Sequence, residues 1–292
     1  MQRRLFILET DWGWDCDDAV AIRLLCNAHK KGETELLGIN VNSCVPKSIP
    51  ALDVYLRSMG MGGKLLLGLD QDAVNFDSSP SYQELLVQNS RPLLKNEDAL
   101  PSLLFYKKLF QEAAPKSLEI LSIGFTQVLS ALLHDPRLAA LTAEKVKHLW
   151  IMAGKWDEEG GKEYNFSKLP VISRASAYFC DNWPKPITFL GFEAGESVLT
   201  GKDLPESDPL KQILRAHGSP NGRCSWDPML ALLALHGSPE RAGYKAVYGR
   251  AKVDPETGKN YFTPDPAGPH SYVIKSYPDE YYQKGINGRL PL

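Results

Sequence analysis

Cysteine is scarce: 292 residues hold five, Cys16, Cys26, Cys44, Cys180 and Cys224, scattered and without any CxxC pair. An odd, dispersed set of this kind reads as reduced thiols in a cytoplasmic protein, each behaving as a small apolar residue, and not as a disulfide framework. Excess charge of either sign is also lacking. Lys and Arg number 33 against 35 Asp and Glu, a formal net charge of -2, which gives no ground for a nucleic-acid or membrane partner. No apolar run approaches the length of a membrane span. Arg3 and Arg4 precede only four apolar residues before Glu9, too few for the core of a signal peptide, so none is expected. Internal repeats, low-complexity tracts and long linkers are missing as well, and the expectation is a single domain over residues 1–292. The composition, 43% hydrophobic and 23% charged, is that of a globular chain long enough for one large core.

One stretch has an excess of something. "RRLFILETDWGWDCDDAVAIRLLC", residues 3–26, places Glu9, Asp11, Asp15, Asp17 and Asp18 between an apolar run and an apolar helix pattern. Leu5–Leu8 reads as a buried strand and Ala19–Leu25 as the start of a helix with Asp17 or Asp18 near its N-cap. The carboxylates therefore fall at the C-terminal end of a strand, where α/β sheets form their ligand crevices. A solvated acidic loop is the plain alternative. The offsets of Gly and Glu do not fit an EF-hand, and Gly13 alone among acids does not make a phosphate loop. An aspartyl nucleophile lacks a basic neighbour to hold a phosphate. Crowded hard oxygen donors point to Ca²⁺ or Mg²⁺.

The rest of the chain repeats the strand-then-helix pattern. "ELLGINVNS" (35–43), "KLLLGLD" (64–70), "LEILSIG" (118–124), "VKHLWIMAG" (146–154) and "PITFLGFEAG" (186–195) read as strands ending in small or polar residues. Helical patterns lie at 49–60 and 102–113, and two more flank a turn within 205–237. Such alternation implies an α/β fold with a mostly parallel central sheet flanked by helices. Residues 71–98, with Pro80 and Pro92 and weak periodicity, read as a long loop or lid. From Tyr244 onward, "DPETGKN" marks a hairpin turn between short strands, a small C-terminal β appendage.

Six further segments, taken with "LETDWGWDCDDAVAI", carry a resemblance: "LLGINVNS", "SIGFTQVLSAL", "IMAG", "EYNF", "GFEAG" and "SWDPMLALLAL", in this order from residue 5 to about 235. Together the chain resembles the nucleoside hydrolases (inosine-uridine preferring nucleoside N-ribohydrolase superfamily), in a subgroup with a longer acidic loop. The resemblance implies one Ca²⁺ held by Asp11, Asp18, the backbone carbonyl of Thr126 and Asp227. It implies Asp11 as general base towards an attacking water, Asp17, Asn42 and Asn165 at the ribose hydroxyls, and Glu163 near the 5′-hydroxyl. The implied reaction is hydrolysis of a ribonucleoside to ribose and free base, as in purine or pyrimidine salvage, by a soluble homo-oligomer, dimer or tetramer, with a small-molecule substrate. Local chemistry alone reads Asp227 equally well as a helix cap, and Asn40 and Asn42 as turn residues.

The departures cluster at the base end. Trp226 stands where well-studied relatives have a His that protonates the leaving purine, and an indole stacks on a base but does not act as an acid. His217 and His270 are the remaining histidines of interest, neither at a motif position. Glu9 replaces the commoner Asp and is assigned to structure or to orienting a ligand. Asp15 belongs to the longer loop and suits an orienting role. Trp12, in place of the usual Pro, and Trp14 and Trp156 read as loop packing or as stacking surfaces for the base. Besides hydrolysis of a ribonucleoside, two readings follow: a module that binds metal and ribonucleoside with little turnover, and a hydrolase of a different ribosyl conjugate.

Overall fold

The computed structural model describes residues 3–73 and 78–292. Its strands are β1 (Arg4–Thr10), β2 (Thr34–Val41), β3 (Leu66–Leu69), β4 (Leu100–Pro101), β5 (Leu118–Ile123), β6 (Val146–Met152), β7 (Gly161–Lys162), β8 (Ile187–Leu190), β9 (Leu199–Thr200), β10 (Arg223–Cys224), β11 (Tyr244–Val253), β12 (Lys259–Pro264) and β13 (His270–Lys275). All but β9 and β10 join one sheet in the order β4-β3-β2-β1-β5-β6-β8-β13-β11-β12-β7. Neighbours from β4 to β13 run parallel, and β11, β12 and β7 pair antiparallel. The C-terminal strands expected from the hairpin signal thus form, and they extend the main sheet.

Strand sequences explain this layering. Along β1, Phe6 and Leu8 enter one core cluster and Ile7 the other; along β5, Leu121 and Ile123 go with the first, Leu118 and Ile120 with the second. Both faces of the central strands are covered by helices, which is why they read as near-continuous apolar runs. The helix Trp226–His236 is buried from Asp227 to Ala234 and packs on the helix Asp17–Lys30. No helix among the described residues is long and apolar enough to cross a membrane.

Residues 71–98 differ from the loop reading. A helix, Ser81–Asn89, lies there, followed by a 3₁₀ turn at Asn96–Asp98; residues 74–77 lie outside the described residues. Only Tyr82, Gln83 and Leu86 of that helix are buried, too thin a stripe to stand out as periodicity. Tyr82 meets the Trp12 ring edge-on at 5.2 Å and Gln83 Nε2 donates to the Trp12 carbonyl at 3.1 Å. The helix thereby braces the acidic loop.

Candidate functional site

Three strand ends and two helix starts meet at the C-terminal end of the central strands. Register places Glu9 beside Ser122, and Ser122 beside Ile151, so β1, β5 and β6 stop at one level. β1 then delivers Asp11, the helix Asp17–Lys30 opens on Asp17 and Asp18, and the helix Trp226–His236 puts Asp227 in its first turn. Carboxylates suit helix N-termini, where the backbone N–H groups and dipole favour negative charge. Carboxylate oxygens of Asp17, Asp18 and Asp227 all lie within 4.8 Å of one another. Asp11, Asp17, Asp18 and Asp227 are buried. The Thr10 hydroxyl donates to Asp18, the Asp227 N–H donates to Asp17 Oδ2 at 3.1 Å, and Ser43 Oγ donates to the Asp11 carbonyl at 2.9 Å. Burial first, and then repulsion from neighbouring acids, push all four carboxyls well above the usual range. A set of oxygen donors that repel each other in a crevice is suited to a hard divalent cation.

A cavity of about 200 Å³ opens on this cluster. Asp11, Asp17, Asp18 and Asp227 line it together with Glu163, Asn165 and Trp226, as do Trp14, Asp15, Tyr164 and Arg223. Glu163 accepts from Asn165 N–H at 2.8 Å and Gly154 N–H at 3.0 Å; burial outweighs these bonds and brings its carboxyl to about 7. Asn165 Nδ2 donates to the Met152 carbonyl at 3.0 Å, leaving the amide oxygen for other partners. Trp226 stacks on Phe192 with centroids 5.2 Å apart, and its indole N–H donates to the Phe192 carbonyl at 2.8 Å.

Two of the sequence-derived site residues lie off the cavity wall. Asn42 is fully buried and its Nδ2 donates to the Phe125 carbonyl at 2.7 Å. Thr126 is buried too: its hydroxyl pairs with Ser176 Oγ at 2.6 Å and its carbonyl accepts from Ser130 N–H at 2.9 Å as the first bond of a helix. Glu9 is sealed under the site, accepting from Asn40 Nδ2 at 2.9 Å and from the Tyr106 hydroxyl, and burial raises its carboxyl to about 8. It ties β1 to β2 and to the helix Ser102–Glu112. Trp12 and Trp156 are packing residues: both are buried, with indole N–H groups donating to the carbonyls of Ser48 and Ala153. Trp14 stands at the cavity, 54% exposed. His217 Nε2 lies 3.7 Å from Asp15 Oδ1 behind the acidic loop. His270 begins β13 in a separate cleft of about 460 Å³ that also holds Arg4, Glu119 and His148.

Sequence reasoning passed over Arg223. It holds Asp15 side-on, with Nε 2.8 and 3.2 Å from the two carboxylate oxygens and Nη2 on Oδ2, and its guanidinium lies 5.2 Å from the centroid of Trp226. The partners are 208 positions apart, and the only local signal was a basic residue just ahead of the "SWDP" segment.

No family model matches the chain, and no curated protein matches its sequence. Solved structures match along its whole length. A purine-preferring ribonucleoside hydrolase from Gardnerella vaginalis is 16% identical over 98% of this chain and 99% of its own, with a TM-score of 0.72. An inosine-uridine preferring nucleoside hydrolase from Bacillus anthracis is 16% identical over 98% and 99%, with a TM-score of 0.71. The type III effector protein XopQ, solved with adenosine diphosphate ribose, is 13% identical over 99% and 94%, with a TM-score of 0.70. The chain has the fold of the nucleoside hydrolases.

Proposed function

We propose that this chain is a metal-dependent N-glycosyl hydrolase that cleaves a ribonucleoside, or a related N-ribosyl compound, into ribose and a free base. One observation carries the reading: within the nucleoside-hydrolase fold, the buried Asp17–Asp18–Asp227 cluster shares a single cavity with Asp11, Glu163 and Asn165. Asp11, Asp18 and Asp227 are the side chains that would hold the cation. The Thr126 carbonyl, with one lone pair engaged by Ser130 N–H, would be a further ligand. All are oxygen donors, which favours Ca²⁺. Bound there, a dication supplies the positive charge that makes a nearby water acidic.

The remaining steps belong to the protein. Asp11 accepts the proton of the attacking water. Asp17 and Asn165 hold the ribose hydroxyls, Glu163 takes the 5′-hydroxyl, and Trp226 offers an aromatic face to the base. Asn42 acts from beneath, tying the segment after β2 to the Phe125 carbonyl after β5. The carboxylates themselves are buried, so that charge–charge contacts among them keep their strength.

Release of reducing sugar from a panel of purine and pyrimidine ribonucleosides, with Ca²⁺ and with chelator, tests the proposal. Metal-dependent ribose release should fall by about 10²–10⁴-fold in Asp11→Asn. Turnover indifferent to both the substitution and the chelator sinks it. Trp226, at the place of an acid, favours a second reading, a ribosyl-binding module; tight calorimetric binding of a ribonucleoside without product over hours would identify that.

A further inference from the structure

At the base end of the cavity the supply of hydrogen-bond donors is short. The Trp226 indole N–H is spent on Phe192 and the Asn165 amide on Met152. Of the other lining residues, Trp14, Tyr164 and Arg223 carry N–H or O–H groups, and the Trp14 ring stacks on Tyr164. The Tyr164 hydroxyl makes no hydrogen bond among the described residues, but Tyr164 sits between Glu163 and Asn165 and feels the charge of Asp11 and Glu163, at the ribose end. Arg223 lies over the Trp226 ring and lines the same cavity.

The Arg223 fork is held in one orientation. Asp15 takes Nε and Nη2 side-on, while Asp15 Oδ1 also accepts from the Cys16 N–H at 2.6 Å, which anchors the carboxylate to the acidic loop. Arg223 itself is carried by β10, paired with β9. Nη1, with two N–H bonds, makes no hydrogen bond among the described residues, and the side chain is 29% exposed. Asp15 neutralises the guanidinium, so the pair is no general anion trap. It presents a fixed donor.

We propose that Arg223, clamped by Asp15 and stacked on Trp226, stabilises the departing base by a hydrogen bond from Nη1, which makes the preferred substrate a nucleoside whose base carries a ring nitrogen or carbonyl acceptor remote from the sugar. The inference rests on the hydrolase reading and assigns the role left open by Trp226. As the C1′–N bond breaks, its electron pair passes to the base nitrogen and the charge spreads to the acceptor that Nη1 holds. The water oxygen bonds to C1′ and its proton passes to Asp11. The base anion then takes a proton from solvent, and Asp11 returns its own, so that nucleoside and water give ribose and neutral base. The guanidinium keeps its protons throughout, as Arg does in proteins.

The test compares a purine ribonucleoside with p-nitrophenyl riboside, whose leaving group is stable as an anion without help. In Arg223→Gln, kcat/KM on the purine nucleoside should fall by about 10²–10³-fold, and on the nitrophenyl riboside by less than about 10-fold. Arg223→Lys, which keeps a charge opposite Asp15, serves where the glutamine variant does not fold; the Ca²⁺-induced rise in Tm reports an intact metal site in either. Equal losses on both substrates overturn the proposal and leave Arg223 a structural role. A leaving-group-dependent loss in Tyr164→Phe but not in the Arg223 variants also overturns it. A wild-type protein that cleaves neither substrate instead overturns the hydrolase reading beneath it.

Discussion

Asp227, proposed above as a metal ligand, would trade stability for function. It is buried within 4.8 Å of two others, and burial with repulsion raises its carboxyl together with theirs. An uncompensated buried charge is costly, so Asp227→Asn in chelator should melt a few degrees above the wild type. With Ca²⁺ the order reverses. On the proposed metal site the wild type should gain about 2.7 kcal/mol at a hundredfold excess over Kd, whereas the variant, lacking one proposed ligand, should gain little. Scanning calorimetry of both proteins with and without metal checks this, and a wild type insensitive to Ca²⁺ would contradict it. Asp11, Asp17 and Asp18 were legible in sequence because strand, loop and helix signals surround them within a few residues. Arg223 was not, because its meaning comes from Asp15 across the fold.

Among the elements, the meeting of β1 and β5 controls how well the acids are placed. Gly124 directly follows β5, and a Cβ there would come within 2.4 Å of the Asp11 backbone nitrogen and 2.9 Å of Asn42 Oδ1. Backbone cannot yield as a flexible side chain does. Gly124→Ala should therefore push the end of β1 outwards, lowering kcat/KM by about 10²-fold and weakening Ca²⁺ binding. Far-UV circular dichroism should stay unchanged, since both core clusters lie deeper in the sheet. Unaltered kinetics would show that the strand end has room to spare. The strands β1, β2, β3, β5 and β6 were read within a few residues of their bounds, whereas β8 stops at Leu190, short of the expected 195, and the two-residue strands β4, β7, β9 and β10 carry too little pattern to read. The helix Ser81–Asn89 was missed because it buries three side chains, and its bracing role emerges only from the contacts of Tyr82 and Gln83 with Trp12.

Over the whole molecule, opposite ends of the strands respond oppositely to acid. At the cleft far from the acidic cavity, burial holds the imidazoles of His148 and His270 down at about 4. His270 Nδ1 accepts from the Ala251 N–H at 2.9 Å, and His148 Nε2 pairs with Thr188 Oγ1 at 3.0 Å, contacts that suit neutral rings. In the unfolded chain both titrate near 6.5. Between those values the unfolded state binds more protons, so these rings favour unfolding as the pH falls from 6.5 towards 4. The carboxylates of the cavity work the other way in chelator, because their raised values let the folded chain take up protons first. The expected outcome is a stability that drops more steeply with acid when Ca²⁺ is bound and the carboxylates are held ionised than when it is removed. Denaturant midpoints at pH 7 and pH 5, with and without Ca²⁺, measure it, and imidazole midpoints by NMR near 6.5 in the folded protein would remove the histidines from the account. Neither end's behaviour was readable from a net charge of -2: it follows from which charges the sheet buries, and at which end.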